Sequence, residues 1–261
     1  MNQDDALDRP GSGKATLNRS LERGIEILRS FRAGTEYLGN GDISERTGLS
    51  KSTVSRLTQT LIHSGMLAYD GQRSAYRLSP AALCFGHAMY NSSALLQLAT
   101  PLMKEAAREL NVNVGLAAAD RDEMIYLESI RLSRKRTPRT VLSGQRVPME
   151  FTSLGRAYLA TVSEEKRRSL MEVFKSRRCE SRWITLESEI KDCIASVERH
   201  GYCAASWQAE VVAISTPLGI HAYNDHVLNI SLSTPDTVDV VVQQYSEPLL
   251  SLADQIRRLF R

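Results

Sequence analysis

The densest polar chemistry in the chain lies between Gly48 and Gly65. There Lys51, Ser52, Thr53, Ser55, Arg56 and Gln59 fall on the outward side of a helical period. An arginine on such a face can bond bidentately to a guanine edge, and a glutamine can do the same to adenine, each good pair discriminating by roughly 1–3 kcal/mol. Ser52, Thr53 and Ser55 are short groups suited to phosphate oxygens or thymine methyls. Lys51, in the first turn, and Arg73, in a later turn, suit backbone phosphates, which set register without reading sequence. A polar helix face alone is only a solvated surface. What gives this one a reading role, with a double-stranded DNA operator as partner, is the set of elements around it.

Those elements begin with Ser20, expected as the N-cap of a helix whose apolar side is Leu21, Ile25, Leu28 and Phe31, with Gly39-Asn40-Gly41 closing it. A short helix follows from Asp42 through Arg46, with Ile43 inward. Gly48 permits a tight turn, Leu49 plugs it and Ser50 caps a third helix from Lys51 to about His63, stopped by Gly65. Val54, Leu57, Leu61 and Ile62 face its core side. Met66–Tyr69 and Ser74–Leu78 flank Asp70-Gly71-Gln72-Arg73, a hairpin signal. Helix, helix, turn, helix and hairpin is the order of a winged helix-turn-helix.

Four segments are expected: a mobile tail at 1–16, the winged helix-turn-helix at 17–79, a linker helix at 80–93, and an effector-binding and oligomerisation domain at 94–261. The last reads as mixed α and β. Val112–Ala119 and Met124–Ile130 are strand-like around the turn 120–123, and so are Val211–Leu218 and Val227–Ser233 around Asn224-Asp225. Helices are expected at Ser153–Val162, Glu164–Phe174, Leu186–Glu198 and about Tyr245 to Phe260. The class is α+β in two domains, the second built on an antiparallel sheet.

Other chemistry is thin. No nucleophile elbow, phosphate-binding loop or nucleophile–base arrangement occurs, so no enzyme activity is expected. Cys84, Cys179, Cys193 and Cys203 lack metal-site spacing and read as reduced thiols of a cytoplasmic protein. His221 and His226 beside Asp225 read as solvent-facing, so neither a metal nor any other cofactor is expected. Arg131, Arg134, Lys135, Arg136 and Arg139 read first as a solvated loop, with anion capture or a subunit contact as alternatives. A formal charge of +3 and a pI near 8.7 mean that basic groups are placed rather than abundant. No apolar run is long enough to span a membrane. The acidic start, Met1-Asn2-Gln3-Asp4-Asp5, argues against a signal peptide.

Ser20-Leu21-Glu22-Arg23-Gly24-Ile25-Glu26-Ile27-Leu28 and Gly48-Leu49-Ser50-Lys51-Ser52-Thr53-Val54-Ser55-Arg56-Leu57 resemble the first and recognition helices of IclR-type transcription regulators. Glu150–Ala160 and His200-Gly201-Tyr202 extend the resemblance, which covers about residues 17–260. It implies a GAF-like effector domain, a homodimer or tetramer, control of catabolic genes by a small organic acid or aromatic compound, and RNA polymerase as a further candidate partner. Carried over residue by residue, it marks Ser153, Gly155, Ala213, Ser231 and Ser233 as ligand-binding candidates. Cys203-Ala204-Ala205-Ser206-Trp207 stands where the family often has acidic residues. That departure suggests a more apolar pocket in which Trp207 either stacks on a ligand or simply packs.

Overall fold

The computed structural model describes residues 18–131, 142–208 and 210–261. The expected tail at 1–16 lies outside them, as do Arg134, Lys135, Arg136 and Arg139. The chain divides into two compact units, one ending at His87 and the other running from Ala88 to Arg261.

The first unit holds α1 (Arg19–Arg29), α2 (Asn40–Thr47), α3 (Lys51–His63), β1 (Leu67–Asp70) and β2 (Ala75–Leu78). Asn18, not Ser20, caps α1. Its Oδ1 accepts the N–H of Ser20 at 3.0 Å and of Leu21 at 3.1 Å. Both residue types cap well, but the apolar stripe starts inside the first turn rather than at the cap. The core residue of α1 is Ile27, with Leu28 and Phe31 half-buried against the same cluster, whereas Leu21 and Ile25 are exposed. Gly39-Asn40-Gly41 does not close α1, which stops at Arg29. It opens α2, where Asp42 Oδ2 accepts the Gly39 N–H at 2.8 Å.

The turn between α2 and α3 is held from both sides. Gly48 takes φ +71°, a conformation costly for residues with a Cβ. Ser44 Oγ donates to the Leu49 carbonyl at 2.6 Å, and Ser50 Oγ accepts from Thr53 N at 3.3 Å to cap α3. At the other end Gly65 (φ +74°) donates to Ile62 O and Met66 N donates to Leu61 O. Those paired bonds satisfy the last carbonyls of the helix. Ile27, Leu38, Ile43, Val54, Leu57, Leu67 and Tyr76 form the core of the unit, and Leu38 adds a backbone bridge to Tyr76 of β2.

α4 (Ala81–Ser92) contains the division between units and buries none of its side chains. The second unit continues through α5 (Ala94–Leu110), β3 (Asn113–Asp120), β4 (Glu123–Ile130), β5 (Arg146–Pro148), α6 (Ser153–Leu159), α7 (Glu164–Ser176), α8 (Glu180–His200), β6 (Cys203–Gln208), β7 (Val211–Pro217), β8 (His226–Ser233) and α9 (Val238–Arg258). Among the described residues its six strands run in the order β5-β4-β3-β8-β7-β6, every neighbouring pair antiparallel. The α+β expectation holds. β5 and β6 are strands that the sequence pattern does not announce, and α8 and α9 begin earlier than expected. Val238-Asp239-Val240-Val241-Val242 is rich in β-branched residues, which disfavour helix locally. Thr237 nevertheless caps it, and Val241 is buried in the core.

Strand alternation divides the core in two. Val114, Leu116, Ile214, Leu228 and Ile230 pack against α5 and α9, whereas Ala117, Met124, Tyr126, Cys203 and Val227 pack towards α6 and α8. Register then lays two rows of residues across that second face. Asn113, Ser231, Ala213 and Ala205 stand side by side, as do Gly115, Asn229, Ser215 and Cys203.

Candidate functional site

The reading helix presents what its period promised. With about 100° between successive residues, Ser52, Ser55, Arg56 and Gln59 share one face of α3, and Lys51 lies about a quarter turn round. Lys51, Ser52, Arg56 and Gln59 are exposed, whereas Thr53 and Ser55 are half-buried. Ser50 Oγ lies 3.1 Å from Ser52 Oγ and donates to Thr53 Oγ1 at 2.9 Å, so both hydroxyls are oriented by the cap. No Asp or Glu occurs from Thr47 to Tyr69. The positive charge of Lys51 and Arg56 is therefore not offset within the helix, which favours a polyanion.

The wing tip is organised by Asp70, whose Oδ1 accepts N–H bonds from Gln72 at 2.9 Å and Arg73 at 3.0 Å. Arg73 lies over the Tyr37 ring at 4.8 Å and pairs loosely with Asp70 at 3.7 Å, yet its side chain stays 65% exposed. That placement holds the arginine at the tip with its guanidinium still open to water. Arg77, exposed on β2, is a further cation of the hairpin.

In the second unit a cavity of about 70 Å³ opens between the sheet and the start of α6. Ser153, Trp207, Ala213, Ser231 and Ser233, named from the sequence, all line it. Gly155 does not. It lies in α6 with its backbone pressed on Met149, where a Cβ would come within 2.1 Å of the Met149 carbonyl oxygen. Thr152 sets the helix there, accepting from Gly155 N at 3.2 Å and donating to Pro148 O at 2.9 Å.

Beside Trp207 and Ala213, polar side chains enter the lining from other strands. Asn113, Tyr126, Asn229 and Arg131 join it from β3, β4, β8 and just past the end of β4. No local motif marks them, because strand register alone brings them together. Gly115 sits opposite Asn229, and a Cβ there would fall 2.4 Å from Asn229 Oδ1 and 2.5 Å from Tyr126 Cε1. The glycine thus leaves room for both side chains. Asn229 is 2% exposed and donates through Nδ2 to Tyr126 OH at 3.4 Å, while Oδ1 of Asn229 and Oδ1 of Asn113 meet no donor among the described residues. Burial pushes the Tyr126 phenol up to about 12, against the opposing pull of its bond from Asn229, so it stays protonated at neutral pH. Ser153 Oγ and Ser215 Oγ close the floor at 2.7 Å. Chemically this is a receptacle with a cation, a phenol and two acceptors awaiting donors.

Among the described residues no group of three or more His, Cys, Asp or Glu side chains could hold a metal, and His226 Nδ1 is instead 2.7 Å from Asp225 Oδ1. No helix there is long and apolar enough to cross a membrane.

Two family models match the chain, the IclR helix-turn-helix domain over residues 20–71 and the bacterial transcriptional regulator IclR C-terminal domain over residues 87–258. The HTH-type transcriptional regulator TsaQ1/TsaQ2 of Comamonas testosteroni is 31% identical over 199 residues, 76% of this chain and 70% of that protein. A solved IclR family transcriptional regulator from Brucella abortus superposes with a TM-score of 0.86 at 29% identity, covering 96% of this chain and 95% of that one. An IclR homolog from Microbacterium hydrocarbonoxydans, solved in complex with 4-hydroxybenzoate, gives a TM-score of 0.68 at 22% identity, covering 92% and 98%. At that identity the likeness extends to the fold alone.

Proposed function

The chain belongs to the IclR family of DNA-binding transcription regulators, not to the enzymes, and from that premise we propose that a small organic acid bound in the sheet unit controls operator binding by α3. In this reading Arg56 and Gln59 read base edges, Ser52, Thr53 and Ser55 support them, and Lys51 and Arg73 hold phosphates. The site of action is the cytoplasm, where the chromosome is. Residues 17–79, 80–93 and 94–261 serve as reader, linker and sensor.

The observation that carries the sensing half is the pair of buried acceptors, Asn113 Oδ1 and Asn229 Oδ1, in a cavity that Arg131 also lines. A carboxylate answers the guanidinium, and hydroxyl donors answer the amide oxygens. At about 70 Å³ the space is less than half the ~150 Å³ of a cavity that takes benzene. A short aliphatic hydroxy acid therefore fits the cavity unchanged. A benzoate-sized acid would need the wall at Trp207 and Gln208 to move, and the half-buried Trp207 gives that second reading its support.

A hydroxy acid should bind more tightly than the matching keto acid by roughly tenfold or more, because the keto acid leaves a buried acceptor unpaired. Calorimetric titration of the full chain with lactate, pyruvate and 4-hydroxybenzoate tests this. Pyruvate equal to lactate would remove the role given to the two asparagines. Preferential binding of 4-hydroxybenzoate would select the second reading, and failure of all three to bind would count against the proposed effector class.

The proposed assembly is a homodimer or a tetramer built from dimers. In the first unit α1 exposes Leu21 and Ile25, and α4 exposes Leu83 at 76% and Phe85 at 67%. Large apolar side chains left exposed in this number commonly mark protein contacts. Two reading helices in a dimer would address half-sites about 34 Å apart, or a multiple of that. Leu83→Asp with Phe85→Asp should shift the sedimentation of the protein towards monomer and abolish a palindromic footprint. An unchanged oligomer would show that the interface lies elsewhere.

A further inference from the structure

Two buried thiols meet under the cavity floor, and neither the reading helix nor the proposed effector uses them. Cys193 lies on α8 and Cys203 on β6; both belong to one buried cluster, and Cys193 Sγ reaches the carbonyl of Ala204, the residue next to Cys203. Cys203 is 1% exposed and donates to the Ser153 carbonyl at 3.4 Å. Cys193 is 7% exposed and donates to the Ala204 carbonyl at 3.6 Å. Arg156, itself buried, points Nη1 at Cys193 Sγ from 3.7 Å and is anchored by Nε on Glu150 O at 2.9 Å and by Nη2 on Glu189 at 2.6 Å. A guanidinium fixed against a sulfur is the arrangement that stabilises a thiolate.

We propose that Cys193 and Cys203 form a peroxide-oxidisable dithiol whose state is transmitted to the cavity through Ser153. Cys193 is the attacking sulfur. The bond that Cys203 can offer its thiolate, helped by the charge of Arg156, holds the Cys193 thiol below its ordinary value, to about 7, against the effect of burial. A larger share of it is then ionised at neutral pH than of an ordinary thiol. Cys203, pushed up by its bond to Cys193 and by burial, remains the protonated resolving partner.

The thiolate attacks one oxygen of hydrogen peroxide. The O–O bond breaks, the departing hydroxide takes a proton to become water, and Cys193 is left as a sulfenic acid. Cys203 then gives up its proton and attacks the Cys193 sulfur, and the S–O bond breaks with loss of a second water. Two electrons pass from the two thiols to the peroxide.

The disulfide removes the S–H that Cys203 donates to Ser153 and the sulfur charge that Arg156 faces. Ser153 heads α6, lines the cavity and bonds Ser215, which is paired with Cys203 across the sheet. One covalent bond thus acts on Ser153, which lines the cavity, and through it on the bonded Ser215.

The test uses the full chain with Cys84→Ser and Cys179→Ser, because those two cysteines are exposed and would react on their own account. After hydrogen peroxide, tryptic mapping without reductant should link the peptide Asp192–Arg199 to the peptide that starts at His200, and dithiothreitol should separate them. Adding Cys203→Ser should leave Cys193 as a sulfenic acid that dimedone traps. Amide exchange in the first turn of α6 and in residues 203–208 should be several-fold faster in the oxidised protein. A chain that yields no link within one molecule overturns the dithiol. A link that leaves exchange at α6 unchanged overturns its connection to the cavity.

Discussion

Gly155→Ala is expected to lower the melting temperature of the second unit by roughly 6–12 °C, through a loss of at least about 3 kcal/mol. A Cβ at this position would stand 2.1 Å from the oxygen and 2.3 Å from the Cα of Met149. Both are backbone atoms, not the far end of a side chain that could swing aside. Met149 cannot retreat easily, being wholly buried with its N–H directed at Asp122 O at 3.4 Å. Nor can the helix, which Thr152 ties to Pro148 while capping it at Gly155. Overpacking of this kind usually costs 1–3 kcal/mol, roughly, and more when the obstacle is rigid. The displaced α6 would also carry Ser153 off the cavity wall, so the effector response should fail in whatever fraction still folds. Gly41→Ala is the control. A Cβ there meets nothing within 4 Å, and the change should be neutral or stabilise α2 by up to about 1 kcal/mol. Scanning calorimetry on both variants decides the matter, and a Gly155→Ala melting within about 2 °C of the parent would show that the close approach relaxes at little cost.

Gly155 also illustrates what could be read from the sequence. Carried over by resemblance, it was legible as a position that matters, but ligand contact and backbone approach leave the same trace in one sequence. α3 was legible to the residue, because Ser50 and Gly65 mark its ends chemically and Gly48 marks the turn before it. Start signals misled where several good caps were available, as with Asn18 and Ser20. They also misled where local propensity opposed the fold, as in the valine-rich start of α9. β6 stayed hidden because Cys203–Gln208 shows no clean alternation, and its pairing with β7 shifts register between Ala205 and Gln208. Ser153, Trp207, Ala213, Ser231 and Ser233 were named by resemblance and do share the cavity. Tyr126, Asn113 and Asn229 were not, because what makes them neighbours is the pairing of β3 with β4 and with β8 across more than a hundred residues of chain. The cation run looks like one unit in the sequence, yet Arg131 lines the cavity.

Arg56→Ala should weaken binding to the cognate operator by roughly 1–3 kcal/mol, about five- to 150-fold, and relax the base preference at one position of each half-site. The side chain is exposed on the same face as Ser52 and Gln59, and α3 carries no carboxylate to engage it. Its guanidinium is therefore available for a bidentate contact, and alanine, an excellent helix former, leaves the helix intact. Lys51→Ala separates this role from simple charge. Without the ammonium to hold a phosphate, binding to every duplex should weaken about equally, and the slope of log affinity against log salt should fall by about one. Arg56→Ala should also soften that slope, but its effect must fall more heavily on the cognate duplex than on a scrambled one. Selection from a random duplex library with the parent protein supplies the operator, and fluorescence anisotropy across a salt series measures both variants. If Arg56→Ala selects the same motif with the same stringency, base reading belongs elsewhere on α3, with Gln59 next in line. If Lys51→Ala alters the selected motif, the division between reading and holding residues is drawn in the wrong place.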